Sequence, residues 1–345
     1  MTIADERQTA TDAEDDTTDK LSKARFRAVA VTALERYALV LLGVCLVVLF
    51  SSLEGSREAF LSTANIRTLL GNQSVVALIA IASIIPLVTG QIDLSAGPMA
   101  GMAGVVTAGL CSFHDFSLVP AVLVALLVGA VIGLVNGYLV SYVGVGAIIV
   151  TLGSATLIQA AVSWFSQDRT IVSGIPERLA ALGSGSFLGV PLAVFYVIVV
   201  SLVAHYLLCQ TPPGRHLYFV GANPRASRLV GLRVERLTLA SFVASAVTAS
   251  MAGILQVALA GSASPQVGPN FTLPALAAAF LGATVIRPGT FNVPGTLVAV
   301  LFVAVVVNGL TLLGAASWLQ PAVNGMSLLV AVVIATVAGR RRAAG

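Results

Sequence analysis

Residues 210–236 read QTPPGRHLYFVGANPRASRLVGLRVER and form the one long polar interruption in the middle of an otherwise apolar chain. They carry five arginines (Arg215, Arg225, Arg228, Arg233, Arg236) against one acid, Glu235. Inside them the spacing predicts a short helix. Asn223 offers a side-chain oxygen to the first free amides, Pro224 suits a first helical position that needs no N–H, and Gly231 suits the left-handed residue past the end. The residues between, 224–230, would make a rod of roughly 10 Å at 1.5 Å rise per residue. A small capped helix on a basic loop is expected to dock something on its side of a membrane.

The membrane follows from what flanks this loop. The chain has 57% hydrophobic and 10% charged residues, and its apolar runs repeatedly approach the ~20 residues that a bilayer demands. Six runs precede the loop (37–53, 68–89, 98–112, 118–142, 147–165, 190–209) and four follow it (237–260, 273–286, 295–314, 322–338). Both numbers are even. The basic flank of the first run, the central loop and the terminal Arg340–Arg341–Arg342 therefore share one side, which the bias of cytoplasmic loops toward Lys and Arg makes the inner one. Fourteen of the nineteen bases then lie inside, with Arg287 near them, and Arg57, Arg67, Arg169 and Arg178 lie outside. The fold class is all-α: a polytopic membrane protein of about ten transmembrane helices, some short or broken, with both termini cytoplasmic. Residues 1–36 are expected to be a disordered cytoplasmic tail, 37–338 the membrane domain, and 339–345 a basic cytoplasmic end. The outer loop over 166–190, rich in turn residues, is either a rest for an external partner or a solvated connector.

Several function classes are excluded or disfavoured by composition. The only lysines are Lys20 and Lys23, both in the tail, so no G-x-x-x-x-G-K-[ST] phosphate loop exists and any ATPase must be another subunit. No catalytic residue, cofactor or metal site is expected in this chain. The net charge of +4 reports membrane orientation, and without interleaved aromatics it does not signal nucleic acid. Cys45, Cys111 and Cys209 have no paired spacing and read as small hydrophobes. No cluster of acids and histidines forms a proton relay, which counts against a proton-coupled carrier.

Within the apolar runs, small residues recur at four-residue spacing in residues 96–104 (AGPMAGMAG) and 128–137 (VGAVIGLVNG), as closely packed helices require. Residues 89–98 (TGQIDLSAGP) differ, because they place Asp93 in an uncharged region between Gly90 and Pro98. Asp93 or Ser95 either caps the next helix or lines a path through a broken helix. Residues 286–295 (IRPGTFNVPG), with Asn292, are loosely similar, as paired interrupted segments in two halves of a transporter would be. Asn136, Gln159 and Asn308 are further polar side chains in the spans. Each is read either as an interhelical hydrogen bonder or as a contact for a hydroxylated solute.

In order along the chain, TGQIDLSAG (89–97), GLVNGYLV (133–140), IVTLG (149–153), GRHLYFVGANPRASRLVG (214–231) and NGLTLLG (308–314) resemble the signature stretches of the permease subunit of ribose/xylose-type ABC sugar importers. The resemblance covers residues 65–338. It implies a homodimer in the bacterial inner membrane, working with an ATPase that binds the ATP and with an extracytoplasmic solute-binding protein. It also implies that 223–231 is the coupling helix, with Arg215, Asn223, Pro224, Ala226, Arg228 and Gly231 as ATPase-coupling residues. Asp93, Ser95, Asn136, Gln159, Asn292 and Asn308 are the candidates for the translocation path. The chain departs from the family at Gly90–Gln91, where two glycines are usual, and over 287–295, where a glycine-rich run is usual. Pentose, hexose, polyol and furanose solutes all remain open. The alternatives are a permease for branched-chain amino acids or nucleosides, a proton-coupled carrier, and a membrane scaffold that transports nothing.

Overall fold

Stripes of small residues decide how closely the helices of this protein approach one another. The computed structural model describes residues 37–343, with side chains as far as Val333; the tail expected over 1–36 and the basic side chains expected over 339–345 lie outside it. In chain order the helices are α1 (Tyr37–Ser52), α2 (Arg57–Phe60), α3 (Thr63–Val88), α4 (Ala96–His114), α5 (Leu118–Tyr138) and α6 (Ala147–Ser166). There follow α7 (Glu177–Ser184), α8 (Leu192–Gln210), α9 (Pro212–Ala222), α10 (Pro224–Leu229), α11 (Val234–Ala260), α12 (Thr272–Gly282), α13 (Val293–Leu312) and α14 (Leu319–Ala343). A π-turn over Leu139–Val143 extends α5. A two-stranded hairpin, β1 (Ser186–Phe187) with β2 (Val190–Pro191), pairs Phe187 with Val190.

Among the described residues seven helices, α3, α4, extended α5, α6, α8, α11 and α13, are long and apolar enough to cross a membrane, so the protein is a multi-pass helical membrane protein. The remaining three runs give, among the described residues, shorter apolar stretches. Tyr37–Ser52 and Leu319–Val333 are two of them. The third, α12, has 11 residues, about 17 Å of rise against a hydrocarbon core of about 30 Å. Irregular backbone over 283–292 follows it, with Arg287, Gly289 and Thr290 exposed at the end where α8 closes.

The stripe on α5 shows how sequence becomes packing. Gly129, Gly133 and Gly137 lie on one helical face, and that face is pressed onto α11. A Cβ on Gly133 would fall 2.7 Å from the Ala246 Cβ and 2.8 Å from the Phe242 carbonyl oxygen. The opposite face turns Leu123, Leu127, Val131 and Leu134 outward. Helices in lipid gain nothing from hiding leucine, so close backbone approach supplies the attraction instead. In their most apolar stretches α3 and α4 are 67% buried and α11 56%, whereas α5, α6 and α8 are each 22% buried. The first three make the centre of the bundle and the last three its rim.

The ends of the bundle segregate. At one end, Gly90 approaches Gly221 of α9, Tyr218 of α9 meets Phe291, and Arg287 meets Cys209 at the close of α8. At the other, Arg67 donates to the Gly189 carbonyl, Ile171 bridges to Ala263, and Asn65 pairs with Asn308. α1 runs parallel to α13, with Gly43 beside Phe302 and Phe50 beside Gly309. The Tyr37 end of α1 is thus level with the first turns of α13, the end that carries α9 and α10.

Candidate functional site

The first part of the site is the pair of short helices at the end that carries Gly90 and Arg287. Thr211 caps α9 by accepting from the Gly214 amide at 3.3 Å, and Pro212 and Pro213 fill the positions whose amides would have no partner. The sequence reading did not separate α9 from the basic loop, although Thr-Pro-Pro was the signal for it. Asn223 breaks the chain into extended backbone and caps α10, accepting from the Ala226 amide at 3.0 Å, while Pro224 takes the first helical position. α10 ends at Leu229, one residue before the end of the rod expected over 224–230, because Val230 is already its cap. Gly231 follows at φ +83°, and the Leu232 amide closes the end on the Ser227 carbonyl at 3.0 Å.

Two contacts fix this pair to the bundle. Tyr218 donates to the Phe291 carbonyl at 2.8 Å, and burial, aided by the nearby Cys209, pushes its phenol up to about 12. It remains a donor throughout the physiological range. Arg228 on α10 forms a two-point pair with Glu235 in the first turn of α11, at 2.9 Å through Nη2 and 3.0 Å through Nε. Arg215, Pro224 and Ala226 are exposed, and Leu229 and Val230 stand 89% and 76% exposed at the tip. These two apolar side chains stand among the exposed arginines of α10 and the residues after it.

The second part is buried. The Asp93 carboxylate, 2% exposed, receives three donors. The Ser95 amide (2.9 Å) and hydroxyl (2.6 Å) reach Oδ1, and the Ser245 hydroxyl on α11 (3.1 Å) reaches Oδ2. Asn136 on α5 donates to Ser95 Oγ at 3.1 Å and to Ser154 Oγ on α6 at 3.0 Å. A buried charge is tolerable only when hydrogen bonds replace its water. The link between α3 and α4 is held in this way against α5, α6 and α11 by five polar side chains.

Three of the six path candidates, Asp93, Ser95 and Asn136, therefore meet in one network. The other three do not join it. Gln159 donates to the Pro265 carbonyl at 2.9 Å, toward the opposite end. Asn308 exchanges amide hydrogen bonds with Asn65 at 2.9 and 3.0 Å. Asn292 caps α13 by accepting from the Gly295 amide at 2.8 Å and donates to the carbonyls of Gly282, Val285 and Thr290. Both faces of its amide are thus engaged within the α12–α13 connection. Ser154 and Ser245 were missed, since nothing in a span full of serine and alanine singles them out before α6 and α11 are seen to converge on residue 93. Among the described residues no group of three or more His, Cys, Asp or Glu side chains is placed to hold a metal.

Comparison with known proteins bears on these two regions together. Residues 65–333 match the family described as branched-chain amino acid transport system / permease component. The chain is 33% identical over 294 residues to a ribose import permease protein of Escherichia coli K12, covering 84% of this chain and 91% of that one. A ribose import permease protein of Haemophilus influenzae is 30% identical over 304 residues, 87% of this chain and 93% of its own. The D-allose transport system permease protein of Escherichia coli K12 is 29% identical over 300 residues, 87% and 91% of the two chains. No solved structure gives a significant match.

Proposed function

Because this chain belongs to the branched-chain amino acid transport system / permease component family, we propose that it is the membrane-spanning subunit of an ATP-driven importer and that its cargo is a sugar or sugar-like solute. It lies in the inner membrane, forms the route for the solute as a homodimer, and leaves ATP hydrolysis to a separate subunit. A solute-binding protein delivers the cargo from outside.

The observation that carries this reading is the path of rigid contact from α10 to the centre of the bundle. Closure of the ATPase moves α10, whose caps make it a stiff element. Arg228–Glu235 transmits the push to the first turn of α11. α11 in turn holds Ser245 on Asp93. A displacement of α11 therefore alters the link between α3 and α4 within the bundle. Arg215, Asn223, Pro224, Ala226, Arg228 and Gly231 serve as the coupling surface, and the exposed arginines favour an acidic face on the ATPase. Asp93, Ser95 and Asn136, with Ser154 and Ser245, form the hinge beside the path. Gln159, Asn292 and Asn308 act as interhelical ties outside it.

Replacing exposed Ala226 by Trp tests the docking role. Membrane insertion and yield should match the parent while ATP-dependent uptake is abolished; normal uptake in this variant would remove α10 from the mechanism. The cargo is tested separately, by screening sugars and branched-chain amino acids against the binding protein that co-purifies with the complex. The family description favours amino acids as the second reading, and the similarity to ribose and allose permeases favours sugars.

A further inference from the structure

The coupling face carries more positive charge than its own contacts use. Arg228 is paired with Glu235, but Arg215, Arg225, Arg233 and Arg236 are exposed and make no hydrogen bond or ion pair among the described residues. Between α9 and α10 lies a concave surface of ≈ 520 Å³ lined by His216, Phe219, Ala222, Asn223, Ala226 and Leu232 among others, and Arg215, Arg225 and Arg233 are next in sequence to three of these residues, His216, Ala226 and Leu232. The chain holds a counterpart. Among its first nineteen residues are seven acids (Asp5, Glu6, Asp12, Glu14, Asp15, Asp16, Asp19) and one base, Arg7. A basic stretch (Lys20, Lys23, Arg25, Arg27, Arg36) separates this acidic block from α1.

We propose that the acidic block over residues 5–19 docks on the exposed arginines of α9, α10 and residues 231–236, and so competes with the ATPase for the coupling face. The placement of α1 makes this geometrically open. Its Tyr37 end lies level with the first turns of α13, at the end of the bundle where Tyr218 of α9 meets Phe291. The number of residues from 19 to 37 sets an upper reach of roughly 60 Å. The attraction is intramolecular, so weak individual pairs suffice at the high effective concentration a short tether gives.

The inference rests on the coupling reading only for its consequence, and two measurements keep them apart. The first uses the full-length permease alone in nanodiscs, with Cys45, Cys111 and Cys209 replaced and spin labels on Thr17→Cys and Ala222→Cys. Docking gives a short, narrow inter-label distance at low salt. The distance should broaden and lengthen at about 1 M salt, where screening acts within about 3 Å. It should do the same when Asp12, Glu14, Asp15, Asp16 and Asp19 are all made neutral amides, or when Arg225→Gln and Arg233→Gln are combined. A long distance in the parent, or a short one indifferent to the arginine pair and lost only when Lys20, Lys23, Arg25 and Arg27 are neutralised, overturns the proposal.

The second measurement is the affinity of the ATPase for the same variants. A tail seated in nine molecules of ten weakens binding about tenfold, since the apparent Kd is the intrinsic one divided by the free fraction. Neutralising the five acids should therefore tighten binding by about that factor, and unchanged binding overturns the competition. An ATPase that binds no variant at all defeats the coupling reading, and the distance measurement then decides the docking by itself.

Discussion

Three donors converge on the Asp93 carboxylate, and each has a different dependence on it. The Ser95 amide and hydroxyl are local and turn the chain into α4, whereas the Ser245 hydroxyl ties that turn to another helix. Asp93→Ala strands both hydroxyls in a buried site, at about 1–3 kcal/mol for each unsatisfied group. Ser245→Ala leaves Oδ1 its two local bonds and strands Oδ2 alone, so it should cost about 1–3 kcal/mol, one such group against two. Thermal unfolding in detergent should rank Asp93→Ala well below Ser245→Ala. The double variant should show coupling of about 0.5–3 kcal/mol, as residues in one network do; additive losses would mean that the two side chains act independently. The sequence placed Asp93 between capping the next helix and lining a path. Its Oδ1 is engaged with the start of α4 while Oδ2 reaches α11, and only the first of these contacts is local enough to be read from spacing. Asn292 was read only as a path candidate in an interrupted segment, although Asn-Val-Pro marks a helix start. Its three donated bonds to residues 282, 285 and 290 depend on a turn that spacing does not reveal.

At the scale of elements, charge and punctuation were strong signals and length was a weak one. Asn-Pro and a following glycine gave α10 within a residue, because caps act on neighbours in sequence. α9 was hidden because its mix of Arg, His, Tyr and Phe has neither an apolar run nor a clean polar face. Packing then adds what caps cannot. Gly133→Leu would force α5 away from α11, where even a Cβ has no room, and overpacking of this kind costs about 1–3 kcal/mol. The variant should lose stability in detergent, with a lowered midpoint of unfolding. Leu127→Ala on the outward face of the same helix should leave it unchanged within error. Arg228→Ala separates packing from coupling. Its pair with Glu235 is exposed, so the loss in stability is about 0–1 kcal/mol. If the pair links α10 to α11, ATP-driven uptake should fall severalfold while the ATPase still co-purifies and the unfolding midpoint stays put. Full uptake in Arg228→Ala would show that the push reaches α11 by another route.

For the molecule as a whole, the parity of apolar runs about the basic loop predicts which parts face which side, and the structure supplies an independent handle on it. Ten runs were legible, and seven of them became helices long enough to cross. Of the other three, the first and last helices are described only in part, and α12, a helix of 11 residues that ends at Gly282, falls short because hydropathy measures composition and not helix length. The contacts still sort the loops into two sets, one with α9, α10 and Arg287, the other with the β1–β2 hairpin, Ile171 and Asn308. α11, 27 residues and about 40 Å long, runs between the two sets from Glu235 to Gly261, which follows its last turn. Leu188 at the tip of the hairpin and Leu229 at the tip of α10 are 87% and 89% exposed, so a cysteine at either is open to solvent without disturbing a core. In a background lacking Cys45, Cys111 and Cys209, a membrane-impermeant maleimide should label Leu188→Cys in intact spheroplasts. It should label Leu229→Cys only after the membrane is permeabilised. Labelling of both from outside would mean that the two tips share a face. The arginines of the central loop would then lie where positive charge is disfavoured, and no ATPase on the inner side could reach α10.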